Sequence, residues 1–120
     1  MWNEGIRAFT AGEDLEGRRR VKIEAGTTTT PPEVVYADAG EDWDGVTEYA
    51  VSDGEKVSVK LRNAQGTFEI ECEVGTAIAR GTSLYGANDG KVSETVSGTS
   101  QFKSLQAAGA SNEHIECLPL

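Results

Sequence analysis

From Gly75 to Val92 the chain reads Gly-Thr-Ala-Ile-Ala-Arg-Gly-Thr-Ser-Leu-Tyr-Gly-Ala-Asn-Asp-Gly-Lys-Val, with never more than five residues between glycines. A packed helix needs roughly ten or more residues without such breaks, whereas short strands do not. The same punctuation recurs at Asp53-Gly54 and Asn63-Ala-Gln-Gly66, and the chain carries 14 glycines in all. Glycine tolerates the positive φ that tight turns demand. The chain is therefore restricted to many short extended pieces joined by tight turns.

The pieces alternate in character, as half-buried strands do. Arg20-Val-Lys-Ile-Glu-Ala25, Val46-Thr-Glu-Tyr-Ala-Val51, Lys56-Val-Ser-Val-Lys-Leu-Arg62, Thr67-Phe-Glu-Ile-Glu-Cys-Glu-Val74 and Glu113-His-Ile-Glu-Cys-Leu118 all show the pattern. Glu33–Asp38, Ser83–Tyr85 and Lys91–Val96 add shorter runs. Gly26-Thr-Thr-Thr-Thr-Pro-Pro32 reads as an exposed loop, because paired prolines exclude a helix and remove ladder donors. Asp53-Gly54 predicts one hairpin, and Asn63–Gly66 predicts a second, joining 56–62 to 67–74. Gln101–Ala110 fits either one helical turn or a strand of small residues. About eight short strands at spacings near ten residues, with at most one short helical turn, predict a small all-β barrel or sandwich. Val57, Val59, Leu61, Phe68, Ile70 and Cys72 are its expected internal face.

At 120 residues the chain is expected to form one domain over 12–120. Residues 1–11 precede it as an N-terminal arm or edge segment, with Trp2, Ile6 and Phe9 as its large residues. Hydrophobic residues make up 38%, a thin core for a protein standing alone, so assembly is an expected source of stability.

The formal net charge of -9 disfavours nucleic acid and anionic membranes as partners. Arg18-Arg19-Arg20 follows Glu13, Asp14 and Glu16, and reads as a solvated turn or a salt-bridged strand start. No apolar run reaches the roughly eighteen residues of a membrane helix, and the N-terminus has no signal-peptide pattern, so the protein is expected to stay where it is made, in a cytoplasm. Cys72 and Cys117 fall on the apolar side of their alternating runs, as reduced core residues; a bridge between neighbouring strands is disfavoured in a reducing compartment.

No arrangement of residues announces chemistry. His114 is the single histidine, no Gly-x-Ser-x-Gly elbow occurs, and nothing singles out a carboxylate pair. Cys72, His114 and Cys117 offer zinc at most three ligands. Asp38, Glu41, Asp42 and Asp44 crowd one loop, but their spacing departs from the calcium-loop order and reads as a solvated turn. The glycine-rich stretch lacks the Gly-Lys-Ser/Thr ending of a phosphate loop. No enzyme activity, cofactor or metal is expected.

Tyr36-Ala-Asp-Ala-Gly40, Gly45-Val-Thr-Glu-Tyr-Ala-Val51, Asp53-Gly54-Glu55, Val57-Ser-Val-Lys-Leu61, Ala77-Ile-Ala-Arg-Gly81, Leu84-Tyr85, Gly90-Lys-Val92, Ala107-Ala108 and Ile115-Glu-Cys-Leu118 occur in one order. In that order, over residues 12 to 118, the chain resembles the small capsid decoration, or cement, proteins of tailed bacteriophages. The resemblance implies a barrel-like subunit that trimerises on the outer face of an expanded shell and bridges major capsid subunits. It implies no catalytic residue.

Beside that resemblance, Trp2, Ile6 and Phe9 are expected to contact the capsid. Trp43, Tyr49, Tyr85, Phe102 and Leu105 are expected at contacts between subunits, since aromatics are enriched where interfaces bury area. Two other classes stand beside this reading. One is a virion-associated domain that binds host glycans through exposed Trp43 and Tyr85. The other is a small enzyme dependent on His114.

Overall fold

The computed structural model describes residues 5–75 and 77–120. Among them are ten strands and one 3-10 turn, Asn88–Gly90. The strands are β1 (Ile6–Ala11), β2 (Arg20–Ile23), β3 (Glu33–Tyr36), β4 (Gly45–Thr47), β5 (Lys56–Leu61), β6 (Phe68–Glu71), β7 (Ser83–Gly86), β8 (Val92–Ser93), β9 (Phe102–Ser104) and β10 (His114–Pro119). The expected all-β architecture is what forms, and the open choice at 101–110 resolves to strand β9.

The first five strands close a barrel in the order β1-β3-β2-β4-β5. Alternation along each strand sends Phe9, Ala11, Val21, Val34, Val57 and Val59 inward, where they form one buried cluster with Leu15. The remaining five strands form a second sheet in the order β6-β10-β9-β7-β8. A parallel bridge from Cys72 to Val92 brings its two edges back together. Its inner face packs Phe68, Ile70, Leu84, Phe102, Ile115 and Cys117 against Val46 and Trp43 on the outside of the barrel. Val57, Val59 and Leu61 are thus internal as expected, but they belong to a different cluster from Phe68, Ile70 and Cys72.

Two expectations are corrected by this topology. Residues 6–11 are not a detached arm or an edge: β1 pairs with β3 on one side and β5 on the other, and so closes the barrel. The predicted second hairpin does not form either. With β1 and β4 on its two sides, β5 has no free edge, so Asn63–Gly66 carries the chain across to the second sheet, where β6 pairs with β10. The Asp53-Gly54 prediction fares better, since β4 and β5 are antiparallel neighbours. Their ladder ends at Thr47↔Val59, and the connection then reaches sideways so that Val51 and Leu15 exchange backbone hydrogen bonds of 2.9 Å each way.

Candidate assembly surface

The basic run holds the two sheets together. Arg20 lies opposite Val46 on β4 and points away from the barrel interior, into the junction with the second sheet. It is fully buried (0% exposed). Its Nε donates to Lys91 O at 3.0 Å and its Nη1 to Gln101 Oε1 at 3.0 Å, while its Nη2 donates to Ala37 O at 2.7 Å and Ala87 O at 2.9 Å. Burial lowers the guanidinium to about 10, with Asp38, Glu41 and Asp42 pulling the other way, so it stays charged at neutral pH. Arg19 donates to Asp89 O at 2.9 Å and to Glu71 Oε2 at 3.0 Å. Arg18 Nε stands 3.7 Å from Glu69. The salt-bridged strand start is what the structure contains, and these cations are engaged by the fold itself.

The acidic loop is similarly occupied. Glu41 accepts from Lys22 Nζ at 2.6 Å, a contact that raises the lysine pKa and lowers that of the carboxylate. Asp42 accepts from Arg62 at 2.7 Å, Asp44 from Ile23 N at 2.8 Å, and Asp38 from Asp89 N at 2.9 Å. Among the described residues, no three His, Cys, Asp or Glu side chains are placed to share an ion. His114 Nε2 lies 3.6 Å from Glu71, which Arg19 and Lys91 also approach.

Cys72 and Cys117 are both free and buried. Phe68 faces Cys117 and Glu71 faces His114, so Cys72 lies four residues along the ladder from Cys117. That is about 13 Å at strand rise, beyond the roughly 7 Å a disulfide spans.

The residues expected at contacts divide sharply. Trp2 lies outside the described residues. Phe9 is a barrel-core side chain at 1% exposure, placed inward by the alternation of β1. Trp43 (1%) and Phe102 (0%) are core as well. Their rings stand 4.6 Å apart, and Trp43 meets Phe68 edge-on at 5.3 Å. The second sheet covers them, so neither has surface to offer a neighbour. Trp43 is therefore not available to the glycan-binding alternative. Ile6 and Tyr49 are exposed, while Tyr85 and Leu105 are half-buried.

The two barrel ends differ in chemistry. At the end where β2, β3 and β5 meet their connections 12–19, 37–44 and 48–55, Leu15, Val51 and Tyr36 plug the mouth. Asp14, Glu16 and Glu55 rim a concavity of about 470 Å³ there, with Glu13 and Asp53 adjacent in sequence. At the opposite end the barrel interior runs out to the surface. Ile23 and Leu61 share the inward phase of Val21 and Val59, yet Ile23 is exposed and Leu61 only half-buried. With Leu120 they line a shallow groove rimmed by Asp44, Arg62 and Asn63. No sequence pattern announced this groove, because an inward-phased residue one step beyond the last layer looks like core.

The first five strands thus close a barrel, the buried arginines serve the fold itself, and an apolar groove opens at one barrel end. The family model of the phage cement proteins matches residues 9–118, and the chain belongs to that family. It is accordingly a structural protein associated with the phage head, and its place is the virion capsid. Among solved structures, the N base of head fiber gp8.5 of bacteriophage phi29 is similar, with a TM-score of 0.76 and 16% sequence identity over 96% of this chain and 92% of that one. At that identity the likeness concerns the fold. No curated protein matches the sequence.

Proposed function

We propose that this protein decorates the outer surface of the expanded phage head, bridges neighbouring major capsid subunits as a homotrimer, stabilises the shell and has no enzymatic activity. The family match over nearly the whole chain is the observation that carries the reading. Two physical features support it. A net charge of -9 is unfavourable against packaged DNA on the inside and compatible with solvent on the outside. The closed barrel half has no strand edge open for addition, so docking on that half uses side-chain surfaces.

A ligand that binds only the expanded shell stabilises that shell by mass action, without chemistry of its own. Ile6 is the expected capsid-contact residue that retains surface among the described residues, and Tyr49, Tyr85 and Leu105 are the expected intersubunit residues that do. Co-sedimentation with expanded, undecorated heads tests the reading. Saturation near one chain per shell subunit, with heads that then resist heating, is the expected result. Binding far below that ratio, or no gain in head stability, would refute it.

A further inference from the structure

We propose that the apolar barrel mouth formed by Ile23 and Leu61 is the seam between copies of this chain. The inference rests on the trimeric decoration reading and locates its self-contact. Ile23 is 43% exposed although its phase along β2 points it into the barrel, so the hydrophobic interior reaches water here. An apolar groove continuous with a core is the kind of surface that association covers.

Charge selects the occupant. The rim carries both signs side by side: Arg62 meets Asp42 at 2.7 Å, and its backbone N–H donates to the carbonyl of Asp44, its rim neighbour, at 2.9 Å. The Arg62 and Asp42 side chains are 44% and 79% exposed, and Arg62 also lies over the Trp43 ring at 5.3 Å, which holds it at the rim. A second copy rotated about a symmetry axis sets Arg62 of one chain against Asp42 or Asp44 of the next, which makes the rim self-complementary. The plugged end offers the contrary case. Glu13, Asp14, Glu16, Asp53 and Glu55 crowd it, and two copies meeting there bring like charges within a screening length of about 8 Å.

Sedimentation velocity on the purified full chain, without heads, is the test. The wild type is expected to assemble at micromolar concentration. Ile23→Asp and, separately, Arg62→Glu are expected to raise its dissociation constant about tenfold or more with the thermal melt retained. Adding Asp42→Arg to Arg62→Glu is expected to restore assembly, and Val96→Asp, at an exposed residue outside the groove, to leave it unchanged. A wild type that stays monomeric overturns the seam, as does full assembly by both Ile23→Asp and Arg62→Glu. Head binding of the same proteins is scored separately: chains that assemble through the mouth but ignore heads would refute decoration and keep the seam.

Discussion

The guanidinium of Arg20 occupies the space that a side chain at Gly86 would need: a Cβ built on Gly86 falls 2.7 Å from Nη2 and 2.8 Å from Cζ. Glycine at this corner of the second sheet therefore lets a charged group from the barrel reach the carbonyls of Ala37, Ala87 and Lys91. The two sheets are joined by a polar key as well as by apolar packing.

Gly86→Ala should accordingly destabilise the protein by about 1–3 kcal/mol, the usual cost of forcing atoms into a filled site. Arg20→Met should cost about 3–5 kcal/mol, because it leaves buried carbonyls without donors. Urea midpoints measure both. Since Arg20 is the group displaced by the Gly86 methyl, the double variant should lose less than the sum of the two.

Burial of the aromatic cluster makes a second prediction. Trp43→Ala should cost about 3–5 kcal/mol, whereas Tyr49→Ala, at a 51% exposed residue, should stay within about 0.5 kcal/mol. Among the described residues Trp43 Nε1 is buried without a hydrogen-bond partner, so Trp43→Phe removes a desolvated donor along with volume and should cost clearly less than Trp43→Ala. Thermal melts of the three variants decide the order.

The buried thiols set an alkaline limit. Burial first, then Glu116 and Cys72, push Cys117 up to about 12 from an ordinary 9.0, and burial likewise raises Cys72. A thiol with a raised folded pKa ionises first in the unfolded chain. Its contribution is therefore full below about 9 and is lost as pH climbs toward 12. Arg20, lowered to about 10, works in the opposite sense over that range. Comparison of Cys117→Ala with wild type isolates the thiol: the variant should start less stable and decline less steeply with rising pH. Both cysteines should resist thiol reagents until the protein unfolds.

Much of the fold was legible because the sheets obey a period of two. Val57-Ser-Val-Lys-Leu61 and His114-Ile-Glu-Cys117 alternate so regularly that their strands and inward faces could be read directly. β1 was harder, since its inward residues Phe9 and Ala11 differ greatly in size and Arg7 shares their phase. Strand partners were harder still. Asn63–Gly66 has turn chemistry whether the chain doubles back or crosses to another sheet, and only barrel closure decides between these. Trp43 and Phe102 sit in or beside loops, where aromatics suggest a contact surface; they are buried because one sheet packs on the outside of the other. Each miss concerns which elements meet across the fold, which local periodicity does not encode.

Cryo-electron microscopy of heads assembled with and without this protein tests the central claim most directly. Decoration predicts added density on the outside of the expanded shell that fits the two-sheet subunit and touches at least two major capsid subunits. Density confined to the interior, or contact with a single shell subunit and no gain in head stability, would contradict it.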